Sequence, residues 1–278
     1  MNTFFSILLP TYKLNYLQEC IDSILAQTYS NWELVIVNDA SPEDIESIIQ
    51  KYTDTRIRYY RNAQNFGAKR LVKQWNHCLS LAKGEYVICM GDDDMLAPHC
   101  LETYAQLIAD YPEVAILHGQ TDIIDQYGQP VEHTPVRPAW ESAMSLLYNR
   151  TYHYFHQFIG DFCYEKEALQ ACGGFYDLPY AWGSDNISAV RAAEKAGITN
   201  TEEVVFYYRD NGESITRSTH TWGKLRAIWL EAFWVRRFLQ QPISTKKDKQ
   251  YQHTLRNHLW VNTLRKSYYV LYHTWHRH

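Results

Sequence analysis

No apolar run in this chain approaches the roughly eighteen residues of a membrane-spanning helix, so the sequence predicts no such span. Its six cysteines, Cys20, Cys78, Cys89, Cys100, Cys163 and Cys172, form no Cys-x-x-Cys pair and no cluster with zinc spacing. That argues against a disulfide framework or structural metal and for reduced thiols in a cytoplasmic compartment. The first ten residues are apolar but lack a basic region and a cleavage site, so they read as a first strand and not a signal peptide. There is no internal repeat, no low-complexity stretch and no glycine-rich loop after that strand. What is present is an ordinary globular composition, 46% hydrophobic and 21% charged over 278 residues. That is enough for one large α/β domain or two small ones.

The net charge of −4 hides an asymmetry. Residues 221–278 hold eleven Lys and Arg against two Asp and Glu, a net of +9, which leaves −13 on the first 220. Charge split in this way suggests that the two parts face different partners. Five of the nine tryptophans also lie past residue 220, in a segment that reads as two amphipathic helices. Leu225, Ile228, Trp229 and Ala232 form one stripe, and Trp260, Leu264, Tyr268, Leu271 and Trp275 the other. Two readings follow: packing against the rest of the chain, or a peripheral, in-plane contact with an anionic membrane. No nucleic-acid-binding motif accompanies the basic charge, so nucleic acid is not an expected partner.

The first 120 residues alternate strand and helix. Strands are predicted at Phe4–Leu9, Trp32–Val37, Arg56–Tyr60, Tyr86–Met90 and Val114–His118. Helices are predicted at Leu14–Gln27, from a Ser41 cap with Pro42 at its first position, at Ala68–Ala82 and after Pro98. Such alternation implies a largely parallel sheet with helices on both faces. The pattern loosens beyond residue 120. Helices at Lys166–Ala171 and Ser184–Ala196, a strand at Val204–Tyr208, and helix beyond Trp222 with a break at Pro242 and a basic loop at Lys246–Lys249 complete the reading.

Met90-Gly91-Asp92-Asp93-Asp94 is the most informative stretch. Two carboxylates about 5 Å apart repel by roughly 3 kcal/mol at an effective dielectric of about 20. A hard divalent cation such as Mg²⁺ or Mn²⁺ removes that penalty. Pro10-Thr11-Tyr12, Asn38-Asp39, Asn65-Phe66-Gly67 and the triple Asp each follow a predicted strand. Ends of parallel strands share one edge of a sheet, so these four features converge on one crevice.

At this point the sequence resembles the family-2 inverting glycosyltransferases of the GT-A fold. The stretch SILLPTYKLNYLQECIDSILAQTYSNWELVIVNDAS resembles their nucleotide-binding start, and NFGAKRLVKQWNHCLSLAKGEYVICMGDDDMLAP the continuation through the metal motif. The resemblance extends through GGFYDLPYAWGSDN to YYRDNGESITR, over roughly residues 3–217. It implies an α/β, Rossmann-like GT-A domain over 1–220, with a nucleotide-sugar half (1–120) and an acceptor half (121–220). The segment 221–278 is then a helical C-terminal extension.

By that resemblance Pro10, Thr11 and Tyr12 line the nucleobase pocket, and Asp39 accepts a hydrogen bond from the base, most simply uracil N–H. Asn65 and Gly67 shape the loop beside the base or ribose, and Lys69 and Arg70 attract the diphosphate. Gly91 stands where relatives carry the first Asp of an Asp-x-Asp-Asp motif. Counting back from Pro98, Asp93 matches the principal metal ligand and Asp92 its ribose-facing neighbour, with Asp94 a further ligand. A shifted register, with Asp92 and Asp94 as the pair, stays open. Asp185 matches the general base; Ser184, in place of the Glu that precedes it in many relatives, faces the acceptor together with Trp182, which offers a face to an acceptor sugar. Arg209, Ser214, Thr216 and Arg217 match a segment that folds over the donor diphosphate, and His220 follows it.

The implied activity is metal-dependent transfer, with Mn²⁺ or Mg²⁺, of a sugar from a nucleotide diphosphate sugar, UDP-linked by family precedent. The implied acceptor is the hydroxyl of a sugar or lipid-linked sugar, as in surface polysaccharide synthesis, in the cytoplasm or on its membrane face. Two alternatives remain: a catalytically silent sugar-nucleotide or carbohydrate-binding protein, and a sugar-phosphate nucleotidyltransferase. Pro10-Thr11-Tyr12, in place of a glycine-rich loop, disfavours the latter.

Overall fold

Strand β1 (Phe5–Thr11) shows how the core is divided. Its side chains alternate across the sheet with period two. Phe5, Ile7 and Leu9 enter one buried cluster and Leu8 the other. The computed structural model describes residues 2–152, 155–212 and 221–275. Around β1 lie β2 (Trp32–Asn38), β3 (Ile57–Arg61) and β4 (Tyr86–Cys89), all parallel. The sheet continues through β9 (Phe162–Glu165), β6 (Ile116–Ile124) and β10 (Ile198–Arg209) to the short β5 (Met95–Leu96). Strands β7 (Pro130–His133) and β8 (Trp140–Glu141) pair at its margins. Both faces are covered, as parallel strands require.

Helices α1 (Leu17–Leu25) and α4 (Cys100–Asp110) close one face, where Leu17, Ile21, Ile24, Leu101 and Tyr104 are buried. Helices α3 (Leu71–Leu81), α5 (Ala143–Tyr152), α6 (Lys166–Ala171) and α7 (Ser184–Ala192) close the other. Beyond residue 220, α8 (Thr221–Phe238) and α9 (Lys246–Trp275) pack on each other, α9 also on α5 and α8 on the turn Pro179–Ala181. Val235, Phe238, Leu239 and Leu255 belong to the same buried cluster as Trp75, Leu147 and Phe175.

The alternating first half matches expectation, and the corrections fall where tertiary packing overrides local pattern. The sheet is mixed, because β9 inserts antiparallel between β4 and β6. The second helix, α2 (Ile45–Ile49), starts after Asp44, whose carboxylate accepts from Ser47 N. Ser41, expected as its cap, instead donates to Tyr12 O at 2.6 Å and accepts from Glu43 N at 3.0 Å. The expected basic loop at Lys246–Lys249 is the first turn of α9, with Thr245 Oγ1 accepting from Asp248 N. The expected stripe Trp260, Leu264, Tyr268, Leu271 faces outward, as does Trp229, while Leu255, Thr263, Ser267 and Val270 are buried. Among the described residues no helix is long and apolar enough to cross a membrane.

Candidate active site

The C-terminal ends of β1, β2 and β4 open onto one cleft of about 1180 Å³. Pro10, Thr11, Tyr12, Asp39, Asn65, Gly67, Asp92, Asp93 and Asp94 line it, together with Trp182 and Asp185 from the other half of the chain. Lys69 and Arg70 stand outside this lining, exposed on the short turn Ala68–Arg70, where Arg70 Nε donates to Phe66 O at 3.1 Å. Ser214, Thr216, Arg217 and His220 lie outside the described residues.

Asp39 is buried and organises the loop that follows β3. Its Oδ1 accepts from Asn62 Nδ2 at 2.8 Å and Phe66 N at 2.9 Å, and its Oδ2 accepts from Gly67 N at 3.1 Å. The carboxylate therefore carries the wall of the proposed base pocket as well as facing it.

The three carboxylates after β4 point to three different sets of donors. Asp92 accepts from Tyr12 N at 2.7 Å and Lys13 N at 2.9 Å, tying the triplet to the end of β1. Asp93 accepts from Asn211 Nδ2 at 3.0 Å. Asp94 turns inward: its Oδ1 accepts from Arg209 N at 3.0 Å and its Oδ2 from Gly91 N at 3.3 Å. A Cβ at Gly91 would come within 2.8 Å of Asp94 Oδ2 and 3.0 Å of Asp93 Oδ1, so a side chain there would make both carboxylates shift. Burial raises all three carboxyls, Asp92 to about 6, and Asp94 is pushed further by Asp93 beside it. Neighbouring carboxylates that resist ionisation together gain from a divalent cation. Asp92 and Asp93 are half-buried, and Asp94 is buried. One or two carboxylates plus substrate phosphates suffice to seat Mg²⁺, which fits this donor set. Among the described residues no group of three or more His, Cys, Asp or Glu converges as an all-protein cage.

Arg209 requires a correction. Expected over the diphosphate, it is fully buried behind the triplet. Its Nε donates to Asp93 O at 2.9 Å and its Nη2 to Glu19 Oε2 at 2.7 Å, with the guanidinium 4.2 Å from the Tyr16 ring centroid. It holds the metal-motif turn in place from the protein side.

Ahead of α7, Tyr180, Ala181 and Gly183 have positive φ (61°, 56° and 83°), with Trp182 between them in extended backbone. Strain of this kind clusters at functional sites. It leaves Asp185 in the first turn of α7, enclosed, accepting from Gln157 Nε2 at 3.3 Å. Burial raises its carboxyl and the nearby Glu231 adds to the rise; Arg150, Gln157 and the Asn186 N–H oppose both. A raised carboxyl in a cleft suits a general base. Ser184, expected to face the acceptor, is fully buried, and its Oγ accepts from Leu178 N at 3.2 Å. Trp182 lines the cleft with Lys224 Nζ 5.0 Å from its ring centroid.

Residues 6–173 match the sequence pattern described as Glycosyl transferase family 2. The chain belongs to that family. As a family-2 glycosyltransferase it is 34% identical over 115 residues to EpsE of Bacillus subtilis (strain 168), a protein named as a glycosyltransferase, covering 40% of each chain. It is 32% identical over 154 residues to WcaA of Escherichia coli (strain K12), named for colanic acid biosynthesis, covering 54% of each. The chain thus spans about half the length, or less, of these curated relatives. The fold is that of S. aureus TarS 1-349 in complex with UDP-GlcNAc, with a TM-score of 0.72 at 18% identity over 92% of this chain and 72% of that one. The mannosyltransferase PcManGT from Pyrobaculum calidifontis, in complex with GDP-Man and Mn²⁺, gives a TM-score of 0.63 at 19% identity, over 97% and 74%. The GT-A architecture of this family-2 glycosyltransferase is therefore established.

Several cleft residues escaped the sequence reading. Arg150, His156, Gln157, Glu231, Arg265, Lys266 and Tyr269 all line the cleft. None sits in a motif; only the packing of α5, α8 and α9 brings them together. Lys13 is the exception, next to the Pro10-Thr11-Tyr12 segment and within the same lining.

Proposed function

We propose that this chain transfers a sugar from a nucleoside diphosphate sugar, UDP-linked in the simplest case, to an acceptor hydroxyl, with inversion at the anomeric carbon. The observation that carries this reading is the single cleft holding both Asp93 and Asp185, one carboxylate from each half of the chain. Asp185 takes the acceptor hydroxyl proton as the new C–O bond forms at the anomeric carbon. The bond to the phosphate oxygen breaks and the diphosphate leaves with the electron pair. Mn²⁺ or Mg²⁺ held at Asp93 would offset the charge gathering on that leaving group. Asp39, Thr11, Tyr12, Asn65 and Gly67 hold the nucleoside, and Trp182 offers a face to the acceptor sugar. The WcaA name supports a polysaccharide acceptor and the TarS complex a UDP-sugar, while the GDP-Man complex makes guanosine the donor to test beside it.

The test is turnover of a UDP-, dTDP- and GDP-sugar panel, followed by the anomeric configuration of the product by NMR. Inverted product from one donor, lost in Asp185→Asn, supports the reading. An inert wild type across the panel would favour a silent carbohydrate-binding protein.

The outer face of α8 and α9 supports a lipid-linked acceptor. Trp229, Phe233 and Trp260 form an exposed aromatic cluster, with Trp229 and Trp260 ring centroids 6.0 Å apart, and Val261, Leu264 and Leu271 extend it. Trp and basic residues on one surface favour the headgroup region of an anionic bilayer. Flotation with phosphatidylglycerol vesicles should recover the wild type and not a Trp229→Ser/Trp260→Ser variant. Equal recovery of the two would remove the membrane contact from the account.

A further inference from the structure

Glu231, on α8, is 6% exposed and lies at the floor of the acceptor side. Its Oε1 accepts from Asn186 Nδ2 at 3.0 Å and its Oε2 from Lys266 Nζ, on α9, at 2.9 Å. Asn186 adjoins Asp185 in the first turn of α7. At Gly183, the residue before α7, an added Cβ would sit 3.2 Å from Glu231 Cδ, so the carboxylate also packs under the strained entry to the helix. One buried anion thus touches the start of the base-bearing helix, and one cation from the last helix holds that anion.

Stability alone gives no reason for this arrangement. Glu231 is buried but its partner Lys266 is half-exposed, and an ion pair with one end in water adds little to stability. Its charges, however, act on whatever titrates beside them. The groups that act on Asp185 are Arg150 from α5, Gln157 from the following loop, Tyr164 from β9, Asn186 from α7 and Glu231 from α8, with Lys266 of α9 bonded to Glu231 and His156 in the same cleft lining. Two of these seven, Glu231 and Lys266, come from beyond residue 220.

We infer that the Lys266–Glu231–Asn186 chain makes the two C-terminal helices a working part of the catalytic site, positioning Asp185 and setting the electrostatic field in which it accepts a proton. The inference rests on the base role proposed for Asp185. Glu231 and Lys266 are positioning residues, since they act through Asn186 and through space. Glu231 is ionised in this role: burial pushes its carboxyl up, but Lys266, Asn186 and Arg150 together hold it below the usual glutamate range. An ionised Glu231 disfavours the ionised form of Asp185, and Lys266 limits that effect. Lys266 also keeps Glu231 ionised, so its own effect on Asp185 is read where position 231 is already neutral. Removing the anion must lower the Asp185 midpoint and removing the cation as well must raise it again, opposite steps that loss of packing alone would not produce.

The experiment is a carboxyl NMR titration of the full chain labelled with ¹³C-aspartate, with the Asp185 signal assigned by its loss in Asp185→Asn. Glu231→Gln should move the Asp185 midpoint to lower pH, and Lys266→Met added to Glu231→Gln should move it back to higher pH. The acid limb of sugar-nucleotide turnover should follow in the same two steps, with calorimetric UDP affinity within twofold of wild type. A midpoint that does not fall in Glu231→Gln, or that falls further in the double variant, overturns the inference. Should the double variant fail to fold, the sign of the Glu231→Gln shift still decides. A wild type that binds no nucleotide and turns over no donor would refute the proposed function separately, because the titration needs neither.

Discussion

Glu19 and Arg209 lie 190 residues apart and meet at 2.7 Å behind the metal-motif turn. The Arg209 side chain is fully buried, whereas that of Glu19 is 56% exposed. The two ends of this ion pair therefore carry different weight. Arg209 also holds the backbone of Asp93 and, through its own N–H, the carboxylate of Asp94. Arg209→Met keeps the backbone N–H to Asp94 but removes the donors to the partly buried carbonyls of Asp93 and Asp125 and should destabilise the fold by about 2 kcal/mol. Glu19→Gln removes only a solvent-exposed partner and should cost less than about 1 kcal/mol. Urea denaturation of both variants checks the contrast, and equal losses would contradict it.

Asp185 couples activity to stability. As general base it should contribute about 10²–10⁴ to kcat, the amount that Asp185→Asn removes. Its carboxyl is raised by burial, so the native state favours its protonated form. A carboxyl raised in the native state lowers stability at any pH where the unfolded chain has already lost that proton. Asp185→Asn should therefore melt higher than wild type at pH 7–8. The advantage should shrink as pH falls through the raised native value and vanish below the ordinary aspartate range near about 4. For the same reason, turnover in the wild type should fall on acidification at a pH above that range.

Asp39 accepts from two backbone N–H groups and one side-chain amide in the loop after β3. Asp39→Asn turns one acceptor oxygen into a donor facing donors. Nucleotide affinity measured by calorimetry should fall at least about tenfold, on the scale of one lost buried hydrogen bond. The melting temperature should drop with it.

Deleting residues 221–278 should not yield a well-packed remainder. Val235, Phe238, Leu239 and Leu255 fill the same cluster as Trp75, Leu147 and Phe175. Removing four such side chains at about 1.5–3 kcal/mol each exceeds ordinary domain stability at its lower end. A chain ending at residue 220 should bind a hydrophobic dye and lose its near-ultraviolet circular dichroism. Cooperative unfolding with wild-type spectra would contradict this.

The strands and helices of the first 110 residues were legible because periodicity, turn chemistry and the order of strand ends are local signals. Tyr12, Asp39 and Asp92 could be placed on one edge from strand succession alone. In the C-terminal helices the sequence offered an apolar stripe but not the side that packs. The buried stripe of α9 includes Thr263 and Ser267, which look polar but bond back to Leu259 O and Thr263 O at 2.8 Å. With these in the core, Leu264, Tyr268 and Leu271 are left outside. The start of α9 did carry a signal, since Thr245 followed by Asp248 is a capping pattern. The run of lysines between them obscured it. Arg150, Gln157, Glu231 and Lys266 left no local trace, because only tertiary packing brings them to Asp185.

The proposed reaction stands on a nucleoside diphosphate bound in the cleft through a metal seated at Asp93. The decisive measurement is calorimetric titration of UDP, dTDP and GDP into the full chain, with and without Mn²⁺ and then into Asp93→Ala. Metal-dependent binding of one nucleotide, UDP in the simplest case, is expected, weakened at least about 100-fold in Asp93→Ala. Metal-independent binding, or undiminished affinity in Asp93→Ala, would contradict it.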